Sequence, residues 1–192
     1  MYVELETLKD YLDISDTGDD IILEGAIERA QAAIETFTNR VFEAASDTKY
    51  YTWDAVDGLW LWLDADLHSL TSIANGDSSG TAVSTDDITL WTGDSRNVGP
   101  PYNKLRLDDG SDSTWQVDTD YYIEVTGEWG YSSTPPADIV QATVRWAAYM
   151  YQQKDAAYTR IVASTATGTV EIPEAIAGDI VALLNPYRRL SL

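Results

Sequence analysis

Apolar residues recur at helical spacing near both ends of this chain, and in short strand-like runs between them. In "LETLKDYLDI", Leu5, Leu8 and Leu12 fall on one stripe while Thr7 and Asp10 have capping-box spacing, which predicts a short helix. The next stretch, "DDIILEGAIERAQAAIETFTNRVF", repeats apolar positions at Leu23, Ala26/Ile27, Ala30, Ile34, Phe37 and Val41. Asp19 or Asp20 serves as its N-cap, and this predicts an amphipathic helix of about five turns. Glu24, Glu28, Gln31 and Glu35 occupy its other face.

From about residue 45 the period shortens. β-Branched and aromatic residues gather in runs broken by Gly, Asn, Asp and Ser, which predicts strands near "KYYTWD", "LWLWLD", "LTSIA", "DITLWTG", "KLRLDD" and "DYYIEVTGEWG". Trp53, Trp60, Trp62, Trp91, Trp115 and Trp129 all lie in this span, as expected of a small antiparallel sheet or barrel with an aromatic core or rim. The segments "NGDSSGTAVSTDD" and "NVGPPY" read as surface excursions.

Helical spacing returns in "TPPADIVQATVRWAAYMYQQKDAA", with Pro136 suited to a first helical position and Asp138 to the first turn. Only Asp138, Gln141, Arg145 and Gln152 make a polar stripe. Such a helix must be enclosed on most sides, at the centre of its own domain or between subunits. After the Thr/Ala/Gly-rich "YTRIVASTATGTV", read as an extended or hinged arm, Pro173 opens a last helix. Its stripe is Ile176, Ile180, Leu183 and Leu184, and Pro186 stops it. A helix of some three turns is marginal alone, so it either folds back on its own helices or reaches a neighbouring molecule.

The pattern predicts an α+β protein: a small helical bundle with a large antiparallel β insertion between the second and third main helices, and an extended C-terminal arm ending in a short helix. The expected boundaries are 1–44 with 134–158 for the helical core, 45–133 for the insertion, and 159–192 for the arm and helix. With 192 residues, 44% of them hydrophobic, the chain can bury a substantial core. No apolar run approaches the ~18 residues of a membrane span, and the first residues lack a basic and greasy leader, so a soluble protein with no membrane association is expected.

Charge and missing residue types narrow the chemistry. There is no cysteine and one histidine, His68, which removes most catalytic and zinc constellations, and no cofactor or metal is expected. The 32 acids against 12 bases give a net charge of -20, which repels nucleic acid phosphates. Lysine occurs only at Lys9, Lys49, Lys104 and Lys154, so the acidity reads either as an ordinary solvated surface or as an adaptation to concentrated salt.

The remaining motifs have bland explanations. "GDSSG" around Ser78 matches a nucleophile-elbow pattern, yet the only histidine precedes the serine, and a turn is the better reading. "DADLH" and "DDGSDS" could offer metal ligands but fit no full loop signature, and adjacent aspartates are expected in so acidic a chain. Tryptophans beside carboxylates also allow a carbohydrate-binding module; core packing competes with that reading. A non-enzymatic protein is expected.

The order of parts carries a resemblance. "LETLKDYLDI", "DDIILEGAIERAQAAIETFTNRVF", "VTGEWGYSSTPPADIVQATVRWAAYMYQ" and "IPEAIAGDIVALLNPYRRL" together resemble the head-to-tail connector (adaptor) proteins of tailed double-stranded DNA phages and related archaeal viruses. The resemblance implies a structural protein of the virion neck, made in the host cytoplasm. It would form a ring, usually of twelve copies, beneath the portal protein, extend the DNA channel without binding the passing DNA specifically, and offer a platform to a stopper or tail-completion protein. It further implies a portal-clasping arm, here Ile172, Pro173, Ile176, Ile180, Leu183, Leu184, Tyr187, Arg188, Arg189 and Leu190. Subunit packing would fall to Ala26, Ala30, Ala33, Ile139, Ala142, Trp146 and Met150, and Glu24, Glu28 and Glu35 could face the channel. Another neck or tail-completion protein is the alternative.

Overall fold

The computed structural model describes residues 1–93, 95–96, 99–159 and 178–189, with the backbone alone at 95–96 and 155–159. It is an α+β fold of two compact units: Met1–Asn39 with Pro135–Leu192, and Arg40–Thr134. The helical unit holds α1 (Leu5–Leu12), α2 (Asp20–Thr38), α3 (Ala137–Thr159) and α4 (Gly178–Leu184). The second holds β1 (Ala45–Tyr51), β2 (Val56–Asp57), β3 (Trp60–Ala74), β4 (Ala82–Val83), β5 (Ile88–Thr92), β6 (Ser95–Arg96), β7 (Tyr102–Leu107) and β8 (Ile123–Trp129).

In the helical unit the apolar stripes meet as the pattern requires. Leu8 of α1, Leu23, Ile27 and Ile34 of α2, and Ile139, Ala142 and Ala147 of α3 are all fully buried. α3 packs against α1, α2 and α4, so its own domain encloses it. The expected capping box at Thr7 is not used: the Glu4 carbonyl accepts from the amides of Thr7 and Leu8, Glu4 is the N-cap, and Thr7 lies within the first turn. α2 ends earlier than its apolar repeat, because Asn39 turns left-handed (φ 54°) and leaves Val41 outside the helix and exposed.

Two lysines are held at the start of α2. Lys9 Nζ donates to Asp20 Oδ1 at 2.8 Å, joining α1 to α2. Lys154 and the Tyr151 hydroxyl both donate to Asp19 Oδ2, joining the distal part of α3 to the α2 N-terminus, where a helix dipole also favours the carboxylate. The hydrogen bonds from Lys154 and then Tyr151 hold the Asp19 carboxyl below its usual range, and Asp19 in turn raises both Lys154 and Tyr151.

All strands join one antiparallel sheet ordered β1-β8-β3-β7-β5-β6, with β2 and β4 also paired to β3. β3 organises it. Its first half pairs with β7 and its second with β8, while Leu67 faces both Tyr102 and Trp129 and bulges absorb the change of partner. "LWLWLD" and "LTSIA", expected as two strands, are thus one 15-residue strand. The aspartates that seemed to interrupt it are held by other side chains: Asp64 accepts from the Tyr51 hydroxyl at 2.9 Å, and Asp66 pairs with Arg40 at 2.7 Å. Leu61, Leu67, Leu105, Leu107, Ile123 and Val125 form the centre of the core. The "NGDSSGTAVSTDD" excursion is tied down more than expected, since Asn75, Gly76 and Val83 are buried.

The two glycines of "GEWG" have separate geometric reasons. A Cβ at Gly127 would lie 2.2 Å from the Ser69 carbonyl oxygen on β3, and one at Gly130 2.6 Å from Ala44 Cα. Both obstacles are backbone. Gly127→Ala is therefore expected to destabilise the protein by about 1–3 kcal/mol, the range for overpacking, in denaturant titration. A second expectation concerns pH. The Asp19 contribution is present above the usual carboxylate range and lost as pH falls through its lowered value, whereas those of Lys154 and Tyr151 are present below their ordinary values and lost above the raised ones. Melting curves across pH should show that Asp19→Asn lowers stability at neutral pH and flattens both limbs relative to wild type.

Candidate functional site

The C-terminal helix does not stand detached. Ile180 and Leu184 are buried, at 2% and 0% exposure, and α4 packs on α3 and α2 of its own helical unit. Arg145 donates to Asp179, the Tyr187 hydroxyl approaches Asp138 at 3.4 Å, the Arg189 amide donates to the Thr38 carbonyl, and the Arg188 guanidinium lies 5.2 Å from the Phe37 ring centre. Of the residues expected to clasp a portal, Ile180 and Leu184 are thus spent on the chain's own core, for the reason that α3 needs a cover. Leu183, Tyr187 and Arg189 are half-buried and Arg188 is exposed, while Ile172, Pro173, Ile176 and Leu190 lie outside the described residues.

The residues expected to pack subunits together divide in the same way. Ala26, Ala30, Ile139 and Ala142 have no accessible surface and Trp146 is buried, so these side chains pack within the chain's own helical unit. Ala33 and Met150 are half-buried. Of the acids assigned to a channel, Glu24 and Glu28 are exposed, but Glu35 accepts from the Tyr2 hydroxyl at 2.6 Å and from Gln31 Nε2 at 3.0 Å, pinning the N-terminal residues to α2.

The motifs that hinted at chemistry serve structure. Asp77 of "GDSSG" accepts from the amides of Ser79 and Thr81, which closes a turn with Ser78 exposed on it, and the hydrogen bonding from Thr81 lowers its pKa. In "DDGSDS", Asp108 accepts from the Thr89 hydroxyl and Asp109 pairs with Arg106. Among the described residues no cluster of three His, Cys, Asp or Glu side chains could hold a metal ion, and no helix is long and apolar enough to cross a membrane.

The bases are drawn inward. Lys9 and Lys154 are in ion pairs, Lys49 lies 5.3 Å from the Trp129 ring centre, and Lys104, 7% exposed, is surrounded by the rings of Trp60, Trp62 and Trp91 at 4.8–5.8 Å. Arg40, Arg106 and Arg145 each pair with an aspartate. Among the bases whose side chains are described, only Arg29 and Arg188 are exposed. The surface is consequently richer in carboxylates than the net charge alone implies. Sequence reasoning foresaw the acidity but not this use of the lysines, because Lys104 on β7 meets rings from two other strands, Trp60 and Trp62 of β3 and Trp91 of β5.

No family model matches the sequence, nor does any curated protein. The fold does match. The whole chain superposes on a chain from the neck of an empty gene transfer agent particle reconstructed with C6 symmetry, at TM-score 0.69 and 18% identity over 91% of that chain. A chain of the native neck with C12 symmetry gives 0.64 and 18%, and one of the native virion of such a particle gives 0.63 and 19%, with the same coverage. Both units take part, so the protein has the fold of subunits that occur in particle necks.

The docking of α4 has a measurable consequence. Leu184→Ala is expected to cost about 2–5 kcal/mol, as for other fully buried leucines, with the loss read by chemical denaturation of the full chain. A merely tethered helix would show almost none.

Proposed function

We propose that this chain is a structural protein of a virion or virion-like particle, a head-to-tail connector that forms a ring in the neck beneath the portal protein. The ring extends the DNA channel and gives the stopper or tail-completion protein its platform. The observation that carries this reading is the end-to-end likeness to neck chains, which spans the helical unit and the β insertion alike. The C6 and C12 symmetries of those necks favour a closed ring of head-to-tail contacts, twelve copies in the fuller symmetry.

The surface chemistry suits a channel wall. With all four lysines and three arginines engaged by aspartates or aromatic rings and acids in large excess, the chain repels phosphate and lets DNA slide past without specific binding. Contact with the portal falls to residues other than Ile180 and Leu184, which the bundle consumes. Glu24 and Glu28 remain candidates for the channel side.

The test is the position of the chain in purified particles. Reconstruction of the neck, or gold labelling of a tagged copy, should place it between shell and tail as a symmetric ring; a label at the tail tip or on the shell facets would refute the connector role.

A further inference from the structure

An aromatic group remains uncovered at one end of the β1–β8 ladder. Tyr50 and Tyr122 are 59% and 51% exposed, and their rings meet edge to face at 6.4 Å. The ladder's last pair is Tyr51 with Ile123, so Trp53 and Tyr121, also exposed at 59% and 44%, follow directly at the same end. Tyr50 and Tyr122 form one exposed pair, and with Trp53 and Tyr121 exposed nearby in sequence, this end of the ladder carries the kind of aromatic surface that marks interaction sites.

The charges around the patch have one sign. Glu124 is cross-strand partner to Tyr50 and shares its face, because alternation sends Ile123 and Val125 to the core. Asp118 and Asp120 belong to the exposed turn in which the Tyr121 amide donates to the Asp118 carbonyl. The nearest base on β1, Lys49, lies on the opposite face over Trp129. Within Arg40–Thr134 there are 17 carboxylates and five bases, and the bases whose side chains are described are held by Asp66, Trp129, the tryptophans around Lys104, and Asp109.

We propose that this patch docks an arginine-bearing segment of another protein. Charge complementarity selects the occupant: carboxylates beside π faces repel phosphate, and so nucleic acid, and attract a cationic protein segment. A guanidinium can stack flat on a tyrosine or tryptophan ring while its edge donates to a carboxylate, which an ammonium cannot do with the same geometry. The occupant is therefore a basic, extended protein segment in which arginine outperforms lysine.

The experiment uses the full chain and a fluorescent ten-residue peptide carrying four arginines separated by glycine and serine, with the lysine equivalent as comparison, read by anisotropy at physiological salt. The arginine peptide should bind more tightly than the lysine one. The double variant Tyr50→Ala/Tyr122→Ala should weaken it by about tenfold, in line with the loss of two stacking faces. Glu124→Gln, which leaves the rings in place, should weaken it less, and Glu24→Gln/Glu28→Gln, which lowers the net negative charge without altering the patch residues, should leave it within a factor of about two, because salt screens diffuse attraction. No binding, equal binding of both peptides, or equal losses from every variant would overturn the proposal, the last two by showing diffuse attraction to net charge. Because the measurement is made on the isolated chain, its failure leaves the neck assignment standing.

Discussion

A helix whose polar stripe is as narrow as that of α3 must be kept from water on almost every side, and the helical unit is arranged to do this. α1 and α2 cover two flanks, and α4 returns from the far end of the sequence to cover another. The small residues Ala142 and Ala147 let the neighbours approach, and Ala26 and Ala30 answer them from α2. The Asp19 cluster then ties the distal part of α3 to the N-terminus of α2 with charge-assisted hydrogen bonds in a position where the dipole of α2 reinforces them.

The β insertion solves a different problem, that of a long strand with two sets of partners. β3 changes from β7 to β8 near Leu67, and the bend is possible because bulges relieve the register while Gly127 admits the Ser69 carbonyl. Asp64 and Asp66 do not break the strand, since a tyrosine hydroxyl and an arginine satisfy them.

Charge links the fold to the proposed role. In most soluble proteins lysines are spread over the surface and blunt its potential. Here all four are engaged within the chain, two by aspartates and two by aromatic rings. The exterior is left anionic, which suits a wall beside moving DNA and makes any cation-bearing partner easy to attract over a distance set by ionic strength.

By itself the sequence determined the helices, most strands, the order of the parts and the sign of the surface, because each is written in local periodicity or simple composition. It also placed the start of α2 at Asp19 or Asp20, although the helix stops at Thr38, before the Val41 that its apolar repeat included. What tertiary structure alone decided was partnership: that α4 folds onto α3, that "LWLWLD" and "LTSIA" form one strand, that Glu35 holds Tyr2, and that three tryptophans enclose Lys104. An apolar stripe says that a face must be covered but not by what, and a charged side chain carries no local mark of the partner, distant in sequence, that will neutralise it. Those choices depend on which segments the chain brings together, and only the folded molecule contains that information.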